Sequence, residues 1–321
     1  MAQQFINYGN PPDGSGGDNR RAALEKLEAN DAELYAAVAA IVPYGGFRNL
    51  LINGDGRLNQ RVFAGGALAA NKYGYDRWRT LGAASSMTVG TSTISLNGTI
   101  CQVIEAPDLA NATVTISVGN SSGAITVSLQ PDATTVTTAA GTIPAGAGIR
   151  TLTLSVPATL TGNVYLLLTS AGPVTIDGPA KRAGIQIELG SNASPFERKP
   201  IGQEFFLCQR YYEKSYSLGV APGTASATAG ASAIAIGGLS SGTNLGEQAV
   251  VFAVRKRSSP TMVAYSPVTG ATGKARDNNS GVDVTVTIGS QGDGGFNWFC
   301  SSSAASTGIN FQMQWAADSE L

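Results

Sequence analysis

Strict alternation of apolar and polar residues is the feature that most limits what this chain can become, because a period of two is met by an extended strand with one buried face. "TVTISVG" (113–119) turns Val114, Ile116 and Val118 to one side, and "AITVSLQ" (124–130) does the same with Ile125, Val127 and Leu129. "TLTLSVP" (151–157) sets Leu152, Leu154 and Val156 against Thr and Ser, and "GIQIELG" (184–190) offers Ile185, Ile187 and Leu189. Turn residues, drawn from a stock of 40 glycines, separate these runs. Such spacing predicts an antiparallel sandwich or jelly roll over residues 47–200.

The pattern returns further along. "AVVFAVRKR" (249–257), "TMVAYSP" (261–267), "VDVTVTIG" (282–289), "FNWFC" (296–300) and "INFQMQWAAD" (309–318) read as strands. "GQEFFLCQRYYEKSY" (202–216) is either a helical joint or an entry strand, and weak strands are expected within 219–246. A second β-sandwich over 201–321 follows. The expected fold class is mainly β: two antiparallel β-sandwich (jelly-roll-like) domains preceded by a short N-terminal α-helix. A length of 321 residues accords with more than one core.

"DNRRAALEKLEANDAELYAAVAAIV" (18–42) is the exception to the β pattern. Asp18 is placed to cap a helix that runs to about Ile41 and is stopped by "PYGG" (43–46), giving a helical segment over 18–46. Leu27, Leu34 and Ile41 lie seven apart, as in a short coiled coil. Between them the seam is filled either by Leu24, Asp31 and Val38 or by Ala23, Asn30 and Ala37. A buried charge costs more than a buried amide, so Asn30 is expected inside the seam and Asp31 at its rim. Residues 1–17, rich in Gly, Pro and Asp, read as an extended lead.

Charged residues make up only 13% and the net charge is −1, which excludes a basic nucleic-acid footprint or a polybasic membrane patch. No apolar run approaches the roughly 18 residues of a membrane span. The start shows neither a basic n-region nor an apolar h-region, so the expectation is a chain made in a cytoplasm without a secretory signal. Histidine is absent, which removes Ser-His-Asp and Cys-His chemistry. A two-carboxylate glycosidase remains the enzyme alternative. Cys101, Cys208 and Cys300 are far apart without a CxxC spacing, and read as small buried hydrophobes. Asn53 and Asp55 of "NGDG", with Glu188, are weak candidates for a Ca²⁺ site, but so few ligands fit a tight turn better. No cofactor is expected.

Several stretches resemble tail and fibre proteins of tailed bacteriophages. "INYGNPPDGSGGDNRRAALEKLEANDAELY" (6–35) is similar to a segment near their N-termini. "NLLINGDGRLNQRV" (49–62), "YGYDRW" (73–78) and "IQIELGSNASPFERKPIGQEFFLCQRYYEKS" (185–215) resemble the opening and end of a jelly roll like a carbohydrate-binding module. "RSSPTMVAYSP" and "QWAADSEL" resemble a C-terminal fibre domain. The resemblance implies a homotrimeric tail fibre or receptor-binding protein. Its 1–17 lead and N-terminus would join a phage tail or baseplate protein, and a host-surface polysaccharide or lipopolysaccharide would be bound. It implies a place in the virion after assembly in the host cytoplasm, with neither nucleic acid nor membrane insertion.

Two aromatic clusters are candidates for sugar stacking. Tyr73, Tyr75 and Trp78 flank Asp76 and Arg77; the plainer reading makes Trp78 a core residue and Asp76–Arg77 an ion pair. Tyr265, Trp298 and Phe299 form the second cluster, where trimer packing is the plainer fate. Pro195, Phe196 and Glu197 read as a turn with Phe196 plugging the core. "VRKRS" (254–258) reads as a solvated or intersubunit strand. The functional expectation is attachment of a virion to a host glycan. A polysaccharide depolymerase and a purely architectural fibre or connector are the alternatives.

Overall fold

The computed structural model describes residues 4–11, 13, 15–41, 47–132, 138–239, 248–300 and 306–321. Its two compact units are Met1–Arg48 and Asn49–Leu321.

In the first unit, helix α1 spans Arg20–Ile41. Asn19, not Asp18, caps it: the Asn19 side-chain oxygen accepts the Ala22 amide at 2.8 Å. Asp18 instead accepts from the Asn7 amide and from Lys26. The expected extended lead is a small hairpin, closed by an Asn10–Ser15 bridge and folded back along the helix. Lys26 donates to the Phe5 carbonyl, and the Asn30 amide both donates to and accepts from the Gln4 backbone, at 2.9 and 3.0 Å. The hairpin therefore occupies the Lys26–Asn30 side of α1. Leu24, Leu27, Asp31 and Leu34, spaced 3-4-3, stay exposed on another. Asn30, expected in an interchain seam, thus has its amide engaged within its own chain. The side chain of Ile41 lies outside the described residues.

The second unit opens with ten strands: β1 (Gly66–Leu68), β2 (Arg79–Thr80), β3 (Ser85–Val89), β4 (Thr93–Ile104), β5 (Thr113–Ser121), β6 (Ile125–Gln130), β7 (Ala139–Ile143), β8 (Gly146–Ser155), β9 (Val164–Asp177) and β10 (Gln186–Leu189). They form two antiparallel sheets. One has the order β1-β3-β4-β9-β6-β7, with β2 also on β4; the other is β10-β5-β8. The alternation read from sequence is realised here. Val114, Ile116 and Val118 on β5 and Ile187 on β10 point inward, and meet Ile125, Val127 and Leu129 on β6 and Leu166 and Leu168 on β9. Gly98 interrupts β4 with a register shift after Leu96. Its φ is +84°, and a Cβ there would stand 2.5 Å from the Ser85 hydroxyl, so only glycine fits.

Helix α2 (Ile201–Gln209) joins this sandwich to eight further strands: β11 (Tyr212–Lys214), β12 (Ser232–Leu239), β13 (Gln248–Val251), β14 (Thr261–Tyr265), β15 (Lys274–Asp277), β16 (Val282–Gly289), β17 (Gly295–Cys300) and β18 (Ser306–Asp318). The ambiguous 202–216 stretch is thus a helix and then a strand. These strands are connected by hydrogen bonds in the order β11-β18-β15-β16-β17-β13, with β12 and β14 also paired to β18. β18 pairs with β12 and β15 over its first part and with β14 and β11 over its last. The core holds Ile234, Phe252, Phe296, Trp298, Phe311, Met313 and Trp315. β13 ends at Val251, so "VRKRS" is not a strand. Lys256 within it is buried, donating to Glu213 and to the Gln209 carbonyl, because a loop cation next to the core is tolerated only when fully bonded.

The closing residues of the chain fasten the two β domains. Leu321 packs with Leu81, Cys101, Val103 and Leu167 on the outer face of the larger jelly-roll sheet. Beside it, Arg77 pairs with Glu320, and its guanidinium stacks 3.4 Å from the Tyr211 ring.

Candidate functional site

The stretches that open and close the jelly roll clasp each other. Glu197 accepts the Asn49 amide at 2.7 Å, and Glu204 of α2 accepts the Asn53 amide at 2.5 Å. Lys199 donates to the Asn49 and Leu51 carbonyls. Burial pushes the Lys199 pKa down and the Glu204 pKa up. Asn53, at φ +58°, spends its side chain on Leu58 and on the Asp76 carbonyl. Asp55 pairs with Arg57 and Arg198, and Glu188 is held by Gln186 and Ser194. The three weak metal candidates therefore hold three separate sets of protein partners. Among the described residues no group of three or more His, Cys, Asp or Glu side chains converges.

The first aromatic cluster is packing. Trp78 is buried and donates its indole N–H to the Asn53 carbonyl at 2.8 Å. Tyr75 is buried, edge-on to Phe63, and its hydroxyl accepts the Val89 amide. Tyr73 lies at the junction of the β domains, its hydroxyl donating to the Leu321 backbone oxygen at 2.5 Å. Neither Tyr75 nor Trp78 has a face free for a sugar. The expected Asp76–Arg77 pair does not form: Arg77 turns to Glu320, while Asp76 accepts the Gln60 amide and lies 3.7 Å from Arg61. Burial pushes the Asp76 carboxyl up to about 6, against the pull of Arg61.

The second cluster divides. Trp298 is fully buried and bonded to the Ser232 hydroxyl. Phe299 faces the opposite side of β17 and is half-buried. Tyr265 lines a cleft of about 530 Å³ with Arg61, Tyr212, Val263, Ala316, Asp318 and Glu320. Strand alternation builds this cleft. Met262, Ala264, Trp315 and Ala317 enter the core, so Thr261, Val263, Tyr265, Ala316 and Asp318 are left on the outer face. Val263 and Ala316 are register partners and leave a low apolar floor. The Tyr265 ring is braced edge-on by Tyr216 at 6.1 Å, and its hydroxyl makes no hydrogen bond among the described residues.

The far wall carries charge. Arg61 stacks 3.8 Å from the Tyr212 ring, donates to Asp318 at 3.0 Å and lies 3.5 Å from Glu320. Burial works against this cation, but Glu320, Asp318 and Asp76 outweigh it and hold its pKa above the ordinary value. The cleft thus offers an aromatic face, an apolar floor, and fixed donors and acceptors. That combination suits the apolar faces and hydroxyls of a sugar ring. Sequence reasoning found Tyr265 but missed Arg61, Tyr212, Asp318 and Glu320, which sit in segments distant in sequence with no motif spacing to join them.

No protein-family model and no curated protein matches the chain. Among solved structures, a CBM4 carbohydrate-binding module matches at 16% identity and a TM-score of 0.26, over 43% of this chain and 98% of that one. A CBM6 module from Clostridium stercorarium, in complex with cellobiose, matches at 15% identity and a TM-score of 0.24, over 46% of this chain and 100% of that one. The enzymatically active domain of bacteriophage CBA120 tailspike protein 4 matches at 14% identity and a TM-score of 0.26, over 44% of this chain and 22% of that one. At TM-scores this low the likeness carries no functional argument.

Proposed function

We propose that the chain is a glycan-binding fibre protein of a tailed phage, and that the Tyr265 cleft is where it holds a sugar of the host surface. The observation that carries this reading is the cleft itself: Tyr265 above the Val263–Ala316 floor, faced by Arg61 and Asp318. The resemblance of residues 6–35 and 185–215 to phage fibre segments supplies the setting. In that setting the exposed Leu24, Leu27 and Leu34 of α1 bring three copies together, and three weak clefts act through avidity. The reading is of binding, not catalysis, since both carboxylates of the cleft, Asp318 and Glu320, are tied to Arg61.

The test is an array of purified bacterial surface polysaccharides. The chain is expected to bind a subset, Tyr265→Ala is expected to lose that binding with its circular dichroism unchanged, and bound polysaccharide should gain no reducing ends. New reducing ends would favour a depolymerase. Binding to none of the polysaccharides would favour an architectural fibre.

A further inference from the structure

A second cleft, of about 270 Å³, opens at one end of the jelly roll, where β5 and β9 finish and β8 begins, beside the segments that enter and leave β10. Its polar wall is prearranged. The Asp177 carboxylate, almost fully buried, accepts from Asn120 on one oxygen and from Lys181 on the other. The Asn120 side-chain oxygen in turn accepts the Gly148 amide at 2.6 Å. Two apolar residues also line it, Ile149, 58% exposed, and the half-buried Phe196. Phe196 was expected to plug the core; it belongs to this cleft and not to the buried cluster.

Three irregularities of the backbone converge here. Asn120 has φ +33° and Arg182 has φ +53°, and β5 shifts register between Gly119 and Ser121. Left-handed non-glycine residues and bulges gather where a side chain must be aimed. Arg182 also ends a short 3₁₀ turn, Pro179–Lys181, with its amide on the Pro179 carbonyl. That accounts for its backbone. It does not account for its side chain: Arg182 is a solvent-exposed residue of the cleft lining, with no side-chain partner among the described residues.

We propose that this cleft is a ligand site for a sugar ring bearing a carboxylate. The Asp177–Lys181 pair is already neutralised, so the Arg182 cation is the unbalanced charge. A guanidinium matches a carboxylate in a two-point fork. Asn120 and Asp177 are placed for ring hydroxyls, and Ile149 and Phe196 for the ring's C–H face. At about 270 Å³ the cleft falls just below the ~300–1,000 Å³ of sites for drug-sized ligands, a size for one sugar ring. The site is independent of the Tyr265 cleft and does not require that reading to hold.

The experiment is saturation-transfer NMR on the full chain, titrated with sodium glucuronate, with glucose and with inorganic phosphate as separate arms. Saturable glucuronate binding is expected, with glucose weaker by about tenfold or more and phosphate unable to compete at equal concentration. Arg182→Asn keeps a residue at ease with positive φ and should weaken glucuronate by roughly tenfold to a hundredfold. Arg182→Lys should retain part of the affinity, and Tyr265→Ala should retain all of it. The proposal is overturned by no saturable binding, by glucose binding as well as glucuronate, by Arg182→Asn binding like the native chain, or by phosphate competing as tightly.

Discussion

Arg77 and Glu320 form an ion pair whose side chains are 1% and 3% exposed, and it joins the loop before β2 to the segment after β18. Burial works against the Arg77 cation, but Glu320 outweighs it and holds the pKa of Arg77 above its ordinary value. Removing one partner leaves the other as an uncompensated buried charge. Glu320→Ala should therefore cost roughly 3–5 kcal/mol in urea unfolding. Arg77→Met combined with Glu320→Leu should recover most of that loss, since the desolvation penalty goes with the charges. A loss under about 1 kcal/mol for Glu320→Ala, the scale of an exposed pair, would show that the junction is not built as described.

Asp76 beside this pair makes stability depend on pH. Its folded pKa, raised to about 6 by burial, stands above the ordinary 3.8. A raised folded pKa means that the folded state holds the proton longer than the unfolded chain does. Its contribution is full below pH ~4 and is lost as pH rises through about 6, by about 3 kcal/mol at 1.36 kcal/mol per pH step. The difference in unfolding free energy between the native chain and Asp76→Asn should shift by about that amount between pH 4 and 7, against the native chain at the upper end. A flat difference would contradict the assignment.

Burial pushes the thiols of Cys101 and Cys300 up to about 12 and that of Cys208 well above 9.0. All three are free and buried, as the spacing in sequence suggested. At pH 8 the native chain should be nearly inert to a disulfide reagent such as Ellman's, because the thiolate is the reactive form. Three thiols should react once urea is added; fast titration of any one without urea would contradict the packing.

Most of the β architecture was legible because β5, β6, β16, β17 and β18 each keep one apolar face, and period two survives any partner. β4 and β9 were not legible. Gly98 breaks the alternation of β4, Gly172 and Pro173 break that of β9, and the end of β4 is buried on both faces by Leu321 and the jelly-roll core. The candidate sites were harder still. Tyr265 could be named as an aromatic on a strand, but nothing local to "LNQRV" marks Arg61 as its neighbour, and Lys256 looks solvated until Glu213 is placed beside it.

The polar pair Asn30-Asp31 also changed meaning. Asn30 holds the hairpin through Gln4, so Asn30→Ala should speed hydrogen exchange of the Gln4 amide while leaving α1 helical. Asp31 lies between Leu27 and Leu34 on the exposed stripe. If copies of the chain meet on that stripe, Asp31→Leu should tighten their association in sedimentation equilibrium by several kcal/mol, as packing replaces a charge. Unchanged association would place the interface elsewhere.

The cleft at Tyr265 is tested most directly by titrating the best-binding oligosaccharide from the array against the native chain, Tyr265→Ala and Arg182→Asn. If Tyr265 stacks on the sugar, its loss should weaken binding about tenfold or more, the scale of an aromatic anchor, and do so for neutral sugars that ignore Arg182. Equal affinity in the native chain and Tyr265→Ala would contradict the account.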